Sequence, residues 1–171
     1  PACCRVSSDA GVITGLGGYA GHSHKYRKRG GSGYLFRTAT VQDLSAVTGA
    51  CLLVKTSVWD AVGGLDEQFA VAFNDVDFCL RVRDAGCRIA WTPYAELIHY
   101  ESKSRGGDEK DPAKAARFAS EQQRLYQIHG RENILDDPYY NPNLTRDRED
   151  FSESDDLRGL KEGKVTVRFR A

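Results

Sequence analysis

The chain has 171 residues, 40% of them hydrophobic and 28% charged. A length of about 150 residues suffices for one domain that buries roughly 70% of the surface its unfolded form exposes, and this composition excludes disorder of the whole chain. The 24 basic residues balance 24 acidic ones, so no global field draws the chain to nucleic acid or to an anionic membrane.

Charge is uneven locally: residues 22–29 are basic, and residues 147–156 are mostly acidic. Five cysteines (Cys3, Cys4, Cys51, Cys79, Cys87) form no CxxC pair, and three sit in apolar stretches. That pattern predicts reduced, cytosolic thiols used as small core residues. No apolar run approaches the roughly 18 residues of a membrane span, which leaves peripheral contact with a membrane open. A chain that opens on Pro1 and contains no Met is expected to be a piece of something longer.

In chain order, residues 9–21 read as a short extended segment running into glycines, and residues 22–34 as a basic, Gly-rich loop. Residues 46–54 are an apolar run with β-branched content, expected as a buried strand. A short helix is predicted over 56–62, opened by Thr56 or Ser57 and stopped by Gly63-Gly64. A second helix follows over 75–85, with Asn74 as N-cap and Gly86 as its stop. Residues 87–92 and 96–100 alternate as two strands separated by Pro93. A third helix is predicted over 112–128, with Asp111 at the N-cap, Pro112 in the first turn, and Ala116, Phe118, Leu125 and Ile128 as apolar positions. From Asp136 to about Glu162 the chain is turn-rich and acidic, expected as an extended arm on the surface pinned by Tyr139-Tyr140. Residues 164–169 alternate and suit a late strand. The division expected is one domain over 1–135 and an acidic arm or linker over 136–171.

Three features between positions 48 and 105 could carry chemistry. Asn74-Asp75-Val76-Asp77 places two carboxylates at the start of a helix. His99 ends a strand, and Lys103 and Arg105 follow it in a polar loop. Each has an ordinary structural explanation: acidic residues in a first turn complement the helix dipole by about 0.3–1 kcal/mol each, a strand-end His is often just a satisfied polar group, and loop cations are usually solvated. His22 and His24 have the spacing of a ligand pair, but they sit in a basic loop. Trp91 suits the core, and Tyr94 could stack on a sugar.

The succession of motifs adds more than any one of them. Thr48-Gly49-Ala50-Cys51-Leu52-Leu53-Val54, Val62-Gly63-Gly64-Leu65-Asp66-Glu67, Asn74-Asp75-Val76-Asp77-Phe78-Cys79-Leu80-Arg81, Ala85-Gly86, Thr92-Pro93 and His99-Tyr100-Glu101-Ser102 come in this order. The succession resembles the second half of a family 2 glycosyltransferase of the GT-A fold, in particular the bacterial cell-surface polysaccharide and rhamnan-type members. The resemblance covers about residues 9–145, and block 46–106 is its most specific part. The arm Asp137-Pro138-Tyr139-Tyr140-Asn141-Pro142-Asn143-Leu144 is similar to that group as well.

The resemblance implies an α/β fold: part of a mixed, Rossmann-like GT-A sheet flanked by helices, with a C-terminal helix and an extended arm. It makes Asp75 the catalytic base and His99 a ligand of a divalent metal, Mn²⁺ or Mg²⁺. Residues Thr48, Gly49 and Ala50 would lie where donor and acceptor approach the backbone, and Asp66 and Glu67 in a turn beside the acceptor cleft. Asp77 would lie near substrate, and Lys103 or Arg105 would close on the diphosphate. Many relatives carry Glu where this chain has Asn74. The implied partners are a nucleotide-sugar donor and a glycan or lipid-linked acceptor, used at the cytoplasmic membrane face in polysaccharide synthesis for the cell wall or surface. The family's nucleotide-binding half, with its main metal-binding DxD, is absent from these residues, so the chain alone is expected to be inactive. A homodimer through an exposed sheet edge is one arrangement open to it.

The chemistry matches these residue types. A carboxylate that takes the proton of an attacking sugar hydroxyl is worth about 10²–10⁴-fold, and a metal ion offsets the charge of the departing diphosphate. One carboxylate with direct displacement predicts inversion. Two rivals differ in class. A non-catalytic glycan- or protein-binding module predicts that Asp75 and His99 do not share a cleft. A metal-dependent hydrolase needs Asp75 and Asp77 on one ion, although residues two apart on a helix diverge by about 200°.

Overall fold

The computed structural model describes residues 6–7, 10–25, 27–28, 30–96 and 111–154. Its strands are short. They are β1 (Val6–Ser7), β2 (Val12–Thr14), β3 (Ala20–His22), β4 (Arg27–Lys28), β5 (Gln42–Asp43) and β6 (Ala90–Trp91). The helices are α1 (Thr56–Val62), α2 (Asn74–Asp84), α3 (Pro112–His129) and α4 (Arg131–Leu135).

The chain is thus α/β in content, but the expected mixed sheet is not what the described residues form. They form three two-stranded antiparallel ribbons, β1 with β4, β2 with β3 and β5 with β6. Residues 42–46 connect two of them. The Val12 amide donates to the Ala46 carbonyl at 2.9 Å, and the Leu44 amide donates to Ile89 at 2.9 Å. The ladder β3, β2, residues 42–46 and β6 is therefore antiparallel throughout.

Residues 46–54 are not the predicted strand. Ala46 and Val47 are buried, but Gly49–Cys51 is a 3₁₀ turn, with the Thr48 hydroxyl accepting the Ala50 amide at 3.3 Å. A threonine that bonds its own following backbone offers the chain an alternative to a ladder. Leu53 is accordingly 98% exposed, and Cys51 is exposed rather than in the core. Cys79 is buried as expected, and burial pushes its thiol up to about 11. The basic segment is not all loop, because Ala20–His22 and Arg27–Lys28 are strands.

The helices form where their sequence signals place them, although the N-caps of α1 and α2 are not the expected residues. Gly63, at φ 77°, ends α1, which starts at Thr56 with Lys55 at the N-cap. Asp111 caps α3 by accepting the Ala113 amide at 3.0 Å, with Pro112 in the first turn. Predicted strands 96–100 and 164–169 fall largely or wholly outside the described residues.

Successive side chains of a strand face opposite ways, and β2 is buried on both faces. Val12 packs into the larger core with Leu44, Phe78, Cys79 and Leu125. Ile13 packs into a second cluster with Leu16, Tyr140, Leu144 and Phe151. Residues 137–154 are therefore not an arm lying on the surface. Tyr140 and Phe151 are 4% and 7% exposed, and the Tyr140 hydroxyl donates to the Thr145 carbonyl at 2.8 Å. Gly15 makes the close approach there possible: at φ 82°, an added Cβ would stand 2.8 Å from the Leu135 carbonyl oxygen.

Asp137, 3% exposed, fastens this segment. It accepts the Thr14 amide at 2.9 Å, the Ser45 hydroxyl at 2.7 Å and the Tyr139 amide at 2.8 Å. Asp137→Ala removes the acceptor from three donors at once, two of them in the buried ladder. It is expected to destabilise the chain by at least about 1–3 kcal/mol, read as a lower urea midpoint.

Candidate active site

Helix α2 starts from an unusual turn. Its N-cap is Phe73, at φ 64° and ψ 2°, not the predicted Asn74. A left-handed non-glycine residue costs about 1–2 kcal/mol, so other contacts must hold it. The Phe73 ring is 7% exposed and packs edge-on to Tyr19 at 5.7 Å and tilted against Phe118 at 5.0 Å. Asn74 instead accepts the Asp75 amide through Oδ1 at 2.8 Å.

Asp75 is half-buried in the first turn of α2. Its Oδ1 accepts the Val76 amide at 2.9 Å, and its Oδ2 accepts the Gly49 amide at 2.8 Å. The structure thus brings together two features 26 residues apart: the candidate base and the small-residue turn 48–50. Gly49 and Ala50 are exposed and Thr48 is half-buried. A Cβ at Gly49 would stand 3.4 Å from the Asp75 Cβ, so the backbone passes directly over the carboxylate.

Asp77 lies on another side of α2 and is 1% exposed. Its Oδ2 accepts from Arg81 at 2.6 and 3.0 Å, and its Oδ1 pairs with His129 Nε2 at 2.8 Å. Arg81 also donates to the Val62 carbonyl at 2.5 Å, which joins α1 to the network. Burial pushes the Asp77 carboxyl up, but the bonds from His129 and Arg81 outweigh it and hold the carboxyl below its ordinary value. Both oxygens are committed inside the domain, away from the surface that Asp75 shares with Gly49.

Asp66 also turns to a helix partner. Arg124 of α3 reaches its Oδ2 at 2.6 and 3.1 Å, and its Oδ1 accepts the Gln68 amide at 2.9 Å. The Arg124 bond, followed by the Gln68 bond, lowers the Asp66 carboxyl. Glu67 is exposed beside it, and Tyr94 is 83% exposed. His99, Lys103 and Arg105 lie outside the described residues. Among the described residues no three His, Cys, Asp or Glu side chains group to hold a metal ion.

Sequence reasoning missed the contributions of α3. Glu121, 4% exposed, accepts the Val71 and Ala72 amides at 3.2 and 2.6 Å. Phe118, Glu121, Leu125 and His129 are spaced 3, 4 and 4 residues apart on one helix face. That spacing was available in the sequence, but two of its four positions are polar.

No family model matches the chain, and no solved structure matches it. The chain is 49% identical over 146 residues to the uncharacterized protein y4gI of Sinorhizobium fredii, which covers 83% of this chain and 16% of that protein. It is 35% identical over 138 residues to an O-antigen biosynthesis protein of Myxococcus xanthus, covering 80% of this chain and 10% of the relative. It is 39% identical over 67 residues to an N-acetylglucosaminyl-diphospho-decaprenol L-rhamnosyltransferase of Mycobacterium tuberculosis, covering 39% of this chain and 21% of that enzyme. The names of the second and third relatives support a glycosyltransferase family. The chain spans less than a quarter of the length of each of these relatives.

The Asp77 network sets an acid response. A carboxyl held below its unfolded value contributes stability that is fully present above that value, about 3.9, and is lost as pH falls through the lower folded value. Stability is therefore expected to drop below about pH 4. Asp77→Asn is expected to cost roughly 1–3 kcal/mol at neutral pH and to reduce that acid slope, measured by urea unfolding across a pH series.

Proposed function

We propose that this chain is the acceptor-side, C-terminal part of an inverting family 2 glycosyltransferase of the GT-A fold, and that Asp75 is its catalytic base. The observation that carries the reading is the Asp75 carboxylate held at 2.8 Å by the Gly49 amide, at the edge of an exposed small-residue turn. The name of one relative, an L-rhamnosyltransferase, supports glycosyl transfer as the reaction class.

A carboxylate oxygen has two lone pairs. Each Asp75 oxygen accepts one backbone amide, so acceptor capacity remains for a sugar hydroxyl. The two amides hold the carboxylate in one orientation before substrate arrives. In the reaction proposed, the acceptor oxygen bonds to the anomeric carbon as the bond from that carbon to the diphosphate breaks, and the hydroxyl proton passes to Asp75. Displacement from one side inverts the anomeric carbon. Gly49 and Ala50 present no bulk at the point of approach.

The donor is proposed to be a nucleotide sugar and the acceptor a glycan or lipid-linked sugar, met at the cytoplasmic face of the membrane. No helix among the described residues is long and apolar enough to cross a membrane. His99, Lys103 and Arg105 are proposed to face the diphosphate, His99 with Mn²⁺ or Mg²⁺. The described residues do not by themselves make a site for that ion. The nucleotide half is proposed to belong to the remainder of a longer protein, without which the chain is inactive. Pairing of two copies through a ribbon edge is a further part of the proposal. The hydrolase reading is disfavoured by Asp77, which is 1% exposed and paired with Arg81 and His129 inside the domain.

The test is nucleotide-sugar turnover by the longer protein with Mn²⁺, wild type against Asp75→Asn. The variant is expected to be slower by about 10²-fold or more while nucleotide binding is retained. Turnover equal to wild type would show Asp75 to be a helix-start carboxylate only.

A further inference from the structure

The turn that delivers Asp75 is held from outside its own helix. Residues 71–73 lead directly into α2, and Phe73 is left-handed, a conformation that persists in a non-glycine residue only where its surroundings impose it. Its surroundings are one face of α3. Phe118 packs on the Phe73 ring, Glu121 binds the two amides just before it, Leu125 is 0% exposed in the shared core, and His129 grips Asp77 one turn further along α2. Of these, the Glu121 carboxylate is the contact made to the backbone of the turn itself. Its oxygens take Val71 and Ala72 separately, a charge-assisted pair that fixes the peptide planes entering Phe73. The Phe73 carbonyl then receives the Asp77 amide at 2.8 Å as α2 begins, with Asp75 between them.

We infer that Glu121 is a positioning residue for Asp75, setting the left-handed Phe73 turn from which the carboxylate reaches Gly49. The role assigned to Glu121 rests on the reading of Asp75 as the base. The geometry of the turn can be tested without it. Glu121 itself touches neither Asp75 nor Gly49, so its effect passes through the turn.

The experiment has two arms. In the first, amide hydrogen exchange is followed in the 171-residue chain for wild type, Glu121→Ala and Glu121→Gln. The Asp77 amide, bonded to Phe73, is expected to exchange about tenfold faster or more in Glu121→Ala, while the Val12 amide, bonded to Ala46, is unchanged. Glu121→Gln keeps one neutral acceptor oxygen and is expected to fall between, and it decides the question if the alanine variant does not fold. In the second arm, the longer protein is assayed per folded molecule. A misplaced base lowers kcat by about 10-fold to 10²-fold and leaves the nucleotide-sugar KM unchanged. Ile134→Val, a core change with Ile134 0% exposed, serves as the control for destabilisation and should keep wild-type kcat. Wild-type exchange at Asp77 in both variants overturns the inference, as does an altered turn with unchanged kcat. If wild type turns nothing over, the reading of Asp75 fails, and the exchange arm alone shows whether Glu121 holds the turn.

Discussion

The buried Asp77 carboxylate is the constraint on which the helical layer depends. Taking a carboxylate out of water is costly unless it is paired and bonded. Arg81, one turn along α2, and His129, at the end of α3, supply the partners. Through Arg81 the same carboxylate is linked to the last turn of α1. One charge thus ties three helices: α3 through the His129 contact, and α1 through its Val62 carbonyl, which accepts from the same Arg81 that pairs with Asp77. Nonpolar burial supplies most of the driving force, while this network selects the orientation. The position of Asp75 follows, since two residues on a helix leave little freedom once one of them is locked inside.

A second carboxylate plays the corresponding part in the ladder. Asp137 binds β2 through Thr14 and residue 45 through its hydroxyl, while Arg83 of α2 donates to that same hydroxyl at 3.1 Å. Arg83 also lies 5.4 Å over the Tyr139 ring. The helix that carries Asp75 is therefore connected to the late segment of the chain twice through Arg83, by way of Ser45 and directly over Tyr139. Arg37 adds a further tie by donating to the Tyr139 carbonyl at 3.3 Å, and burial lowers its guanidinium.

What could be read in advance was local. Gly63, Gly86 and Gly130 sit at the helix ends, all with positive φ, and Asp111-Pro112 opens α3, because caps and stops are decided within a few residues. The strand expected at 46–54 failed for a long-range reason. Its centre is turned by Thr48 and held by a carboxylate 26 residues later, and hydropathy contains no record of that partner. The same holds for α3. Ala116 and Ile128 are apolar positions of the predicted helix, yet both are exposed, and Glu121 is buried because amides some 50 residues earlier need an acceptor. The pairing of Asp75 with the 48–50 turn was legible only as an order of motifs. The contact itself, and the left-handed Phe73 behind it, required the fold.

The attachment of residues 137–154 to β2 also has a bearing on the chain as it is made. Thr14 and its acceptor Asp137 are separated by 123 residues. At a synthesis rate of about 5–20 residues per second, roughly 6–25 s pass between them. During that interval the Ile13 face of β2 has only Leu16 and Tyr34 of its cluster and lacks Tyr140, Leu144 and Phe151. Only when Phe151 has been added is the Ile13 cluster of the described residues complete.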